Sequence, residues 1–226
     1  VTRLLVTGFG PFPRMPRNPS GDAALALAAA PRLRLLGIAA HATILTTAYA
    51  TLPGELDRLL AAEPDAVLML GVAGRARRVR VETRATSGRS TLVPDVSGDR
   101  PGQIRPMAVQ SVRRATADAG FALLQLRAQG MPARLSRDPG RYLCNAAYFR
   151  ALGGVAPTLF IHIPKVPRSR PVREGGPRRV GARWRKTLTA ALVDIAIGMR
   201  RPMGQKPSRR EPSGPSNRVA ARACLN

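Results

Sequence analysis

Arg3-Leu4-Leu5-Val6-Thr7-Gly8-Phe9-Gly10-Pro11-Phe12-Pro13 opens on a short apolar run and breaks into a loop of glycine and proline. An apolar run with one charge, closed by glycine, reads as a buried first strand over residues 3–8. Asn18-Pro19-Ser20 follows, and then the Ala/Leu-rich stretch 22–30. Ser20 is the expected N-cap of a helix there. A buried strand, a loop and a helix in that order form one unit of a layered α/β protein.

Similar units recur along the chain. Residues 37–47 and 66–70 read as further strands, the latter closed by Gly71, with a helical pattern over 52–62 between them. Residues 78–84 alternate polar and apolar, which predicts a half-exposed strand. Residues 87–105 read as loop. A helical pattern over 108–129 breaks at Gly120. A strand over 131–136, a helix over 142–152 after Gly140, a strand over 158–163 ended by Pro164, and a helix over 183–199 complete the reading. Short apolar strands alternating with helices predict an α/β fold with a mostly parallel sheet, its ligand site beyond the carboxyl ends of the strands.

Composition narrows the function classes. At 226 residues and 44% apolar content the chain can bury one sizeable core. No apolar run reaches the roughly 18 residues of a membrane span. Val1 to Val6, with one charge before Thr7-Gly8, is not the pattern of a signal peptide. Cys144 and Cys224 make no disulfide framework, and with only His41 and His162 beside them a Cys/His zinc site is excluded. The net charge of +24 suggests an acidic partner such as nucleic acid. Yet only Lys165, Lys186 and Lys206 among the 37 basic residues are lysines, the mark of an arginine-biased composition on a solvated surface. The last 64 residues contain Trp184 but no Tyr or Phe, so stacking platforms for bases are missing there and only weak, non-specific nucleic-acid binding is expected. Residues 1–200 read as one domain and 201–226 as a basic disordered tail of Pro, Ser, Gly and Arg.

Three residues could carry chemistry. Cys144 lies in Gly140-Arg141-Tyr142-Leu143-Cys144-Asn145, in the first turn of a helix. Free N–H groups and the helix dipole there favour a thiolate and offer oxyanion donors. A cysteine so placed is otherwise a buried structural residue. His162, in Leu159-Phe160-Ile161-His162-Ile163-Pro164, ends an apolar strand, where a histidine is either a satisfied core residue or a base. Cysteine plus histidine is a minimal activated nucleophile, and a third group should orient the imidazole. Glu82, between Val81 and Thr83, is a candidate for that group or else a solvated charge. Phe9 and Phe12 share the first loop, where they either cap the core or line a small-ligand pocket.

Taken together, these pieces resemble the pyrrolidone-carboxylate peptidase (pyroglutamyl peptidase I) family of cysteine peptidases. The matching segments are Thr7-Gly8-Phe9-Gly10-Pro11-Phe12, Asn18-Pro19-Ser20, Gly71-Val72-Ala73-Gly74-Arg75, Val81-Glu82 and Pro94-Asp95. Gly130-Met131-Pro132-Ala133, Tyr142-Leu143-Cys144-Asn145 and Phe160-Ile161-His162-Ile163-Pro164 complete the set, in the family's order over residues 1–164. The resemblance implies a three-layer α/β/α sandwich with a mostly parallel mixed sheet, phosphorylase/hydrolase-like, in a cytoplasmic and often oligomeric enzyme. It implies a triad of Cys144, His162 and Glu82 acting on peptides with N-terminal pyroglutamate, with no metal or cofactor. Phe9 and Phe12 would hold the pyroglutamyl ring. Thr47, Val93, Tyr142 and Leu143 would fall at other pocket positions, and the backbone of Val72 would face the lactam. The chain departs from the family pattern at Val72, Thr83 and Leu92 and in a shortened segment between Arg100 and Val112. Two other expectations fit the same residues: a non-catalytic relative whose basic surface binds nucleic acid or acidic partners, and an amidohydrolase of another small lactam or cyclic imide.

Overall fold

Strand β1, Thr2–Phe9, is buried over its last six residues and pairs in parallel with β2, Ile38–Leu45, and with β3, Ala66–Val72. This is a computed structural model, and it describes residues 1–13, 15–88, 93–100, 111–165 and 179–200. Helix α1, Pro19–Ala28, and the short α2, Pro31–Leu35, lie between β1 and β2, and α3, Leu52–Ala61, lies between β2 and β3. After β3 come β4, Val79–Glu82, β5, Arg84–Thr86, β6, Val112–Arg114, and α4, Ala119–Ala128. The chain continues through β7, Ala133–Ser136, α5, Leu143–Ala151, β8, Thr158–Ile163, and α6, Arg179–Gly198.

The main sheet has the order β2-β1-β3-β8-β4-β7, and β5 with β6 forms a separate antiparallel pair. From β2 to β8 all pairings are parallel. β4 then runs antiparallel to β8 and parallel to β7. The sheet is therefore mostly parallel but mixed, as expected.

Residue parity assigns each strand side chain to one of two cores. Leu4, Val6, Leu68, Leu70, Ile161 and Ile163 face a cluster completed by α1, α2, α4 and α6. Leu5, Phe9, Val67, Met69 and Phe160 face a second cluster completed by α3 and α5. Helices on both faces make the three-layer α/β/α sandwich. The helix pair α3–α5 is tied further by the ion pair of Arg150 with Asp57.

Several local expectations are corrected. The N-cap of α1 is Asn18, whose side chain accepts from Ser20 N–H. Ser20 instead lies inside the helix, where its hydroxyl accepts from Phe9 N–H at 3.1 Å and bonds Asn18 Oδ1 at 2.8 Å. β3 runs through Gly71 to Val72 rather than stopping at the glycine. The expected strand over residues 78–84 divides into β4 and β5, and β4 sits inside the sheet with Val79, Val81 and Glu82 buried. The alternation Val-Arg-Val-Glu mimics a half-exposed strand because its charged side chains find a lined cavity and a buried histidine rather than bulk water. Gly120 does not break a helix. It stands in the first turn of α4 beside the Asp118 cap, and the segment before it forms β6. The last helix begins at Arg179, ahead of the expected start. The tail over 201–226, Leu92 and most of the shortened segment after Arg100 lie outside the described residues.

Helix α1 approaches β1 where the strand carries Gly8. A Cβ there would come within 2.6 Å of Ser20 O and 2.7 Å of Gly21 Cα, both backbone atoms. Gly8→Ala should therefore cost about 1–3 kcal/mol, seen as a lower urea midpoint. Gly10→Ala should cost much less, because its nearest backbone neighbour lies at an ordinary 3.5 Å.

Candidate active site

The carboxyl ends of β1, β3 and β8 open into a cavity of about 720 Å³ whose wall includes Phe9, Val72, Cys144 and His162. Each side chain reaches it for a local reason. Gly140 adopts φ +83°, a left-handed turn open to glycine, and aims the chain into α5. Tyr142 is the N-cap and its side chain supplies no cap bond. The N–H groups at the start of α5 thus have no intrahelical acceptor. They surround Cys144, which is a free, half-buried thiol.

His162 and Glu82 meet through the sheet. In the antiparallel register Arg80 lies opposite His162 and Glu82 opposite Phe160, so Glu82 is the diagonal neighbour of His162 on the same face. Glu82 Oε1 and His162 Nδ1 are 2.9 Å apart. The carboxylate is fully buried and the imidazole only 4% exposed. With Nδ1 engaged, Nε2 is the nitrogen left for Cys144. Burial by itself pushes the imidazole pKa down. Hydrogen bonds that the ring donates to the side chains of Cys144 and Glu82, together with their charges, outweigh it and hold His162 up at about 9. A charged imidazolium between two acidic partners is the arrangement this favours.

Packing makes room for the group. Gly71 is in register with His162 on β3, and a Cβ there would lie 2.7 Å from the Phe160 ring and 3.1 Å from the Cys144 sulfur. The Phe160 ring packs against His162 with centroids 4.7 Å apart and the planes tilted by 50°. Tyr148 on α5 donates to Glu82 C=O at 3.0 Å, which holds α5 against the end of β4.

Every residue expected at the pocket lines the cavity, with differing shares of side chain and backbone. Phe9 is 2% exposed and packs on Phe160 as well, so it both walls the cavity and fills the core. Phe12 is half-buried against Tyr142. Thr47 donates to Pro11 C=O and pins the first loop. Leu143 has its side chain in the core, so it offers the cavity its backbone. Val72 lies one residue before Ala73, whose N–H donates to Ile163 C=O. By strand alternation its own backbone faces away from β8, toward the gap between β1 and β3. Val93 is exposed at the rim. Thr83 lies off the cavity, where its hydroxyl donates to Ser136 C=O.

Two supporting residues went unassigned in the sequence. Asn145, fully buried beside Cys144, accepts from Thr86 N–H and donates to Thr86 C=O and Gly88 C=O. Asp95, also fully buried, accepts from the N–H groups of Tyr49, Ser97 and Asp99. It organises the loop whose Pro94 C=O accepts from Tyr142 hydroxyl at 2.9 Å. Burial, followed by the charge of Asp95, pushes the Tyr142 phenol up to about 12 and keeps it a neutral donor. Their neighbours Pro94 and Cys144 were the available signals. Among the described residues no group of three or more His, Cys, Asp and Glu is placed to hold a metal, and no helix is long and apolar enough to cross a membrane.

Because the folded pKa of His162 lies above its ordinary 6.5, the stability it adds is complete below about pH 6.5 and is lost as pH rises through about 9. The urea midpoint should fall across that window. In Glu82→Gln the fall should be smaller and end at lower pH.

The sequence model of the pyroglutamyl peptidase family matches residues 2–197. A pyrrolidone-carboxylate peptidase of Gloeobacter violaceus is 34% identical over 176 residues, covering 73% of this chain and 82% of its own. Another from Streptomyces coelicolor is 32% identical over 166 residues, 72% and 74% of the two chains. The crystal structure of a pyrrolidone carboxyl peptidase from Thermus thermophilus superposes with a TM-score of 0.68 at 27% identity, over 84% of this chain and 99% of that one. Pyroglutamyl peptidase I of Bacillus amyloliquefaciens shares the fold with a TM-score of 0.70 at 22% identity, over 88% and 98%.

Proposed function

We infer that this chain, which belongs to the pyroglutamyl peptidase family, removes N-terminal pyroglutamyl residues from peptides with Cys144 as nucleophile, His162 as acid and base, and Glu82 as the group that orients the imidazole. The observation that carries the reading is the convergence of a helix-start cysteine with a buried His–Glu pair on one apolar-walled cavity.

In this mechanism the Cys144 thiolate attacks the carbonyl carbon of the pyroglutamyl residue, and a C–S bond forms as the carbonyl π pair moves to oxygen. The unpaired N–H groups at the start of α5 stabilise that oxyanion. The C–N bond breaks as His162 gives its proton to the departing amine. A water then attacks the thioester, His162 takes the water's proton, and free pyroglutamate leaves as the thiolate returns. Glu82 holds the proton on Nδ1 throughout, so that Nε2 does the exchange. Phe9 and Phe12 supply apolar walls for the lactam, and the backbone of Val72 and Leu143 supplies its hydrogen bonds. Tyr142, Thr47 and Val93 close the remaining sides. A thiol nucleophile also suits a reducing, cytoplasmic setting.

Purified protein should hydrolyse a pyroglutamyl-aminocoumarin substrate, and Cys144→Ala should abolish turnover with its unfolding curve little changed. Turnover surviving in that variant would sink the mechanism. The alkaline limb of kcat/KM should lie near the imidazole value of about 9. Glu82→Gln should move that limb to lower pH.

The two phenylalanines should separate. Phe12→Ala should raise KM with little loss of stability. Phe9→Ala should cost about 3–5 kcal/mol of stability, because its ring is also core. Urea unfolding beside steady-state kinetics distinguishes the two effects.

A further inference from the structure

The cavity wall combines apolar and cationic side chains. Phe9 and Phe12 on the β1 side make part of its wall apolar. Three cations line it as well: Arg80 on β4, Lys165 just past the end of β8, and Arg75 in the turn after β3. Arg80 is the register partner of His162, and Lys165 follows it on the same segment. The ion pairs among the described residues are Arg3–Asp65, Arg32–Asp194, Arg150–Asp57 and His162–Glu82, so none of the three cations is neutralised by one. One carboxylate, Asp138, shares the described wall with them, and its Oδ1 already accepts from Gly140 N–H.

The chemistry fixes which part of a substrate meets these charges. His162 must reach the departing amine nitrogen, so the residue bearing that amine lies on the β8–β4 side of Cys144. Its side chain begins two bonds from the nitrogen. Arg80, directly across from His162, is therefore placed to meet the leaving residue, with Lys165 and Arg75 by the turn after β3 on the same cavity wall, while Phe9 and Phe12 wall the neutral lactam. A carboxylate in the leaving residue would meet two or three uncommitted cations, and an ammonium there would be repelled.

We propose that the cations Arg75, Arg80 and Lys165 select peptides that carry a carboxylate immediately behind the pyroglutamyl group. The carboxylate is either the side chain of an acidic second residue or the free C-terminus of a pyroglutamyl dipeptide. The proposal rests on the pyroglutamyl-peptidase reading and adds its leaving-group preference. Partly exposed charge pairs contribute little singly, and together they amount to roughly a three- to tenfold gain in kcat/KM. Salt should screen much of it.

The test compares kcat/KM for C-terminally amidated pyroglutamyl-Glu, pyroglutamyl-Gln and pyroglutamyl-Lys, and for pyroglutamyl-Ala as free acid and as amide. The expected order among the amides is Glu above Gln above Lys at low salt, converging at about 1 M salt. An advantage of Glu over Gln assigns the side-chain carboxylate, and an advantage of free acid over amide assigns the C-terminus. Lys165→Gln and Arg80→Gln should each lower the acid-to-neutral ratio. Lys165 is exposed, so its variant tests the charge even where the half-buried Arg80→Gln folds poorly. Hydrolysis of the coumarin substrate with parity between acidic and neutral peptides overturns this proposal and leaves the peptidase reading standing. Absence of hydrolysis of every pyroglutamyl substrate overturns both.

Discussion

A carboxylate with no exposure to water survives only where something charged or hydrogen-bonded meets it. Glu82 is such a group, and its partner is His162 at 2.9 Å. Much of the architecture can be understood from that contact. The diagonal reach requires β4 to lie beside β8 and to run against it, which is where the parallel sheet reverses. The imidazole then points its other nitrogen toward α5, and α5 has to bring a cysteine there in its first turn. Gly71 has no side chain because Phe160, which packs against the imidazole, and the Cys144 sulfur occupy that space.

The two faces of the sheet divide the labour. The face under α1, α4 and α6 is a continuous apolar core and carries no chemistry. The face under α3 and α5 is interrupted at its carboxyl end, where the same parity that buries Met69 and Phe160 puts Gly71 against the Cys144 sulfur and delivers His162 to the cavity. The loops around the opening are held by buried polar side chains. Asn18 and Ser20 tie the first loop to α1, Asp95 orders the segment next to Tyr142, and Asn145 anchors the strand that follows Glu82. Each leaves its loop's backbone satisfied without a regular strand partner. A cavity walled by such loops keeps its shape before any substrate arrives, which is the condition for catalysis by positioning.

The cavity is both apolar and charged. Apolar aromatic walls suit a neutral ring, and three cations that no ion pair among the described residues neutralises line the same cavity. Among the described residues, the strong basic charge of the chain reaches the site through these side chains. The wider surface carries charge that any solvated exterior could bear.

Local signals made much of this legible in the chain. Apolar runs ended by glycine or proline mark β1 and β8 because a buried strand must be apolar and must stop. A cysteine just after Gly140 marks a helix start, because the left-handed turn needs glycine. The motifs around Phe9, Cys144 and His162 pointed to a pocket through their ordered resemblance to a peptidase family, since each residue alone fits a core position as well. Other features depend on residues far apart in sequence. Glu82 looks like a surface charge among arginines until β8, 80 residues later, supplies the imidazole that buries it. Asn18 and Ser20 compete for one cap, and the winner depends on Phe9 N–H claiming the Ser20 hydroxyl. Gly71 reads as a strand terminator, and only Phe160 and Cys144 packed against it reveal that it lies within the strand and makes room for them. Arg75, Arg80 and Lys165 are three ordinary basic residues in an arginine-rich chain until the order β3-β8-β4 brings them to one wall. Conformation and burial tendency are encoded within a few residues, whereas the partner of a buried charge is chosen by which strands become neighbours.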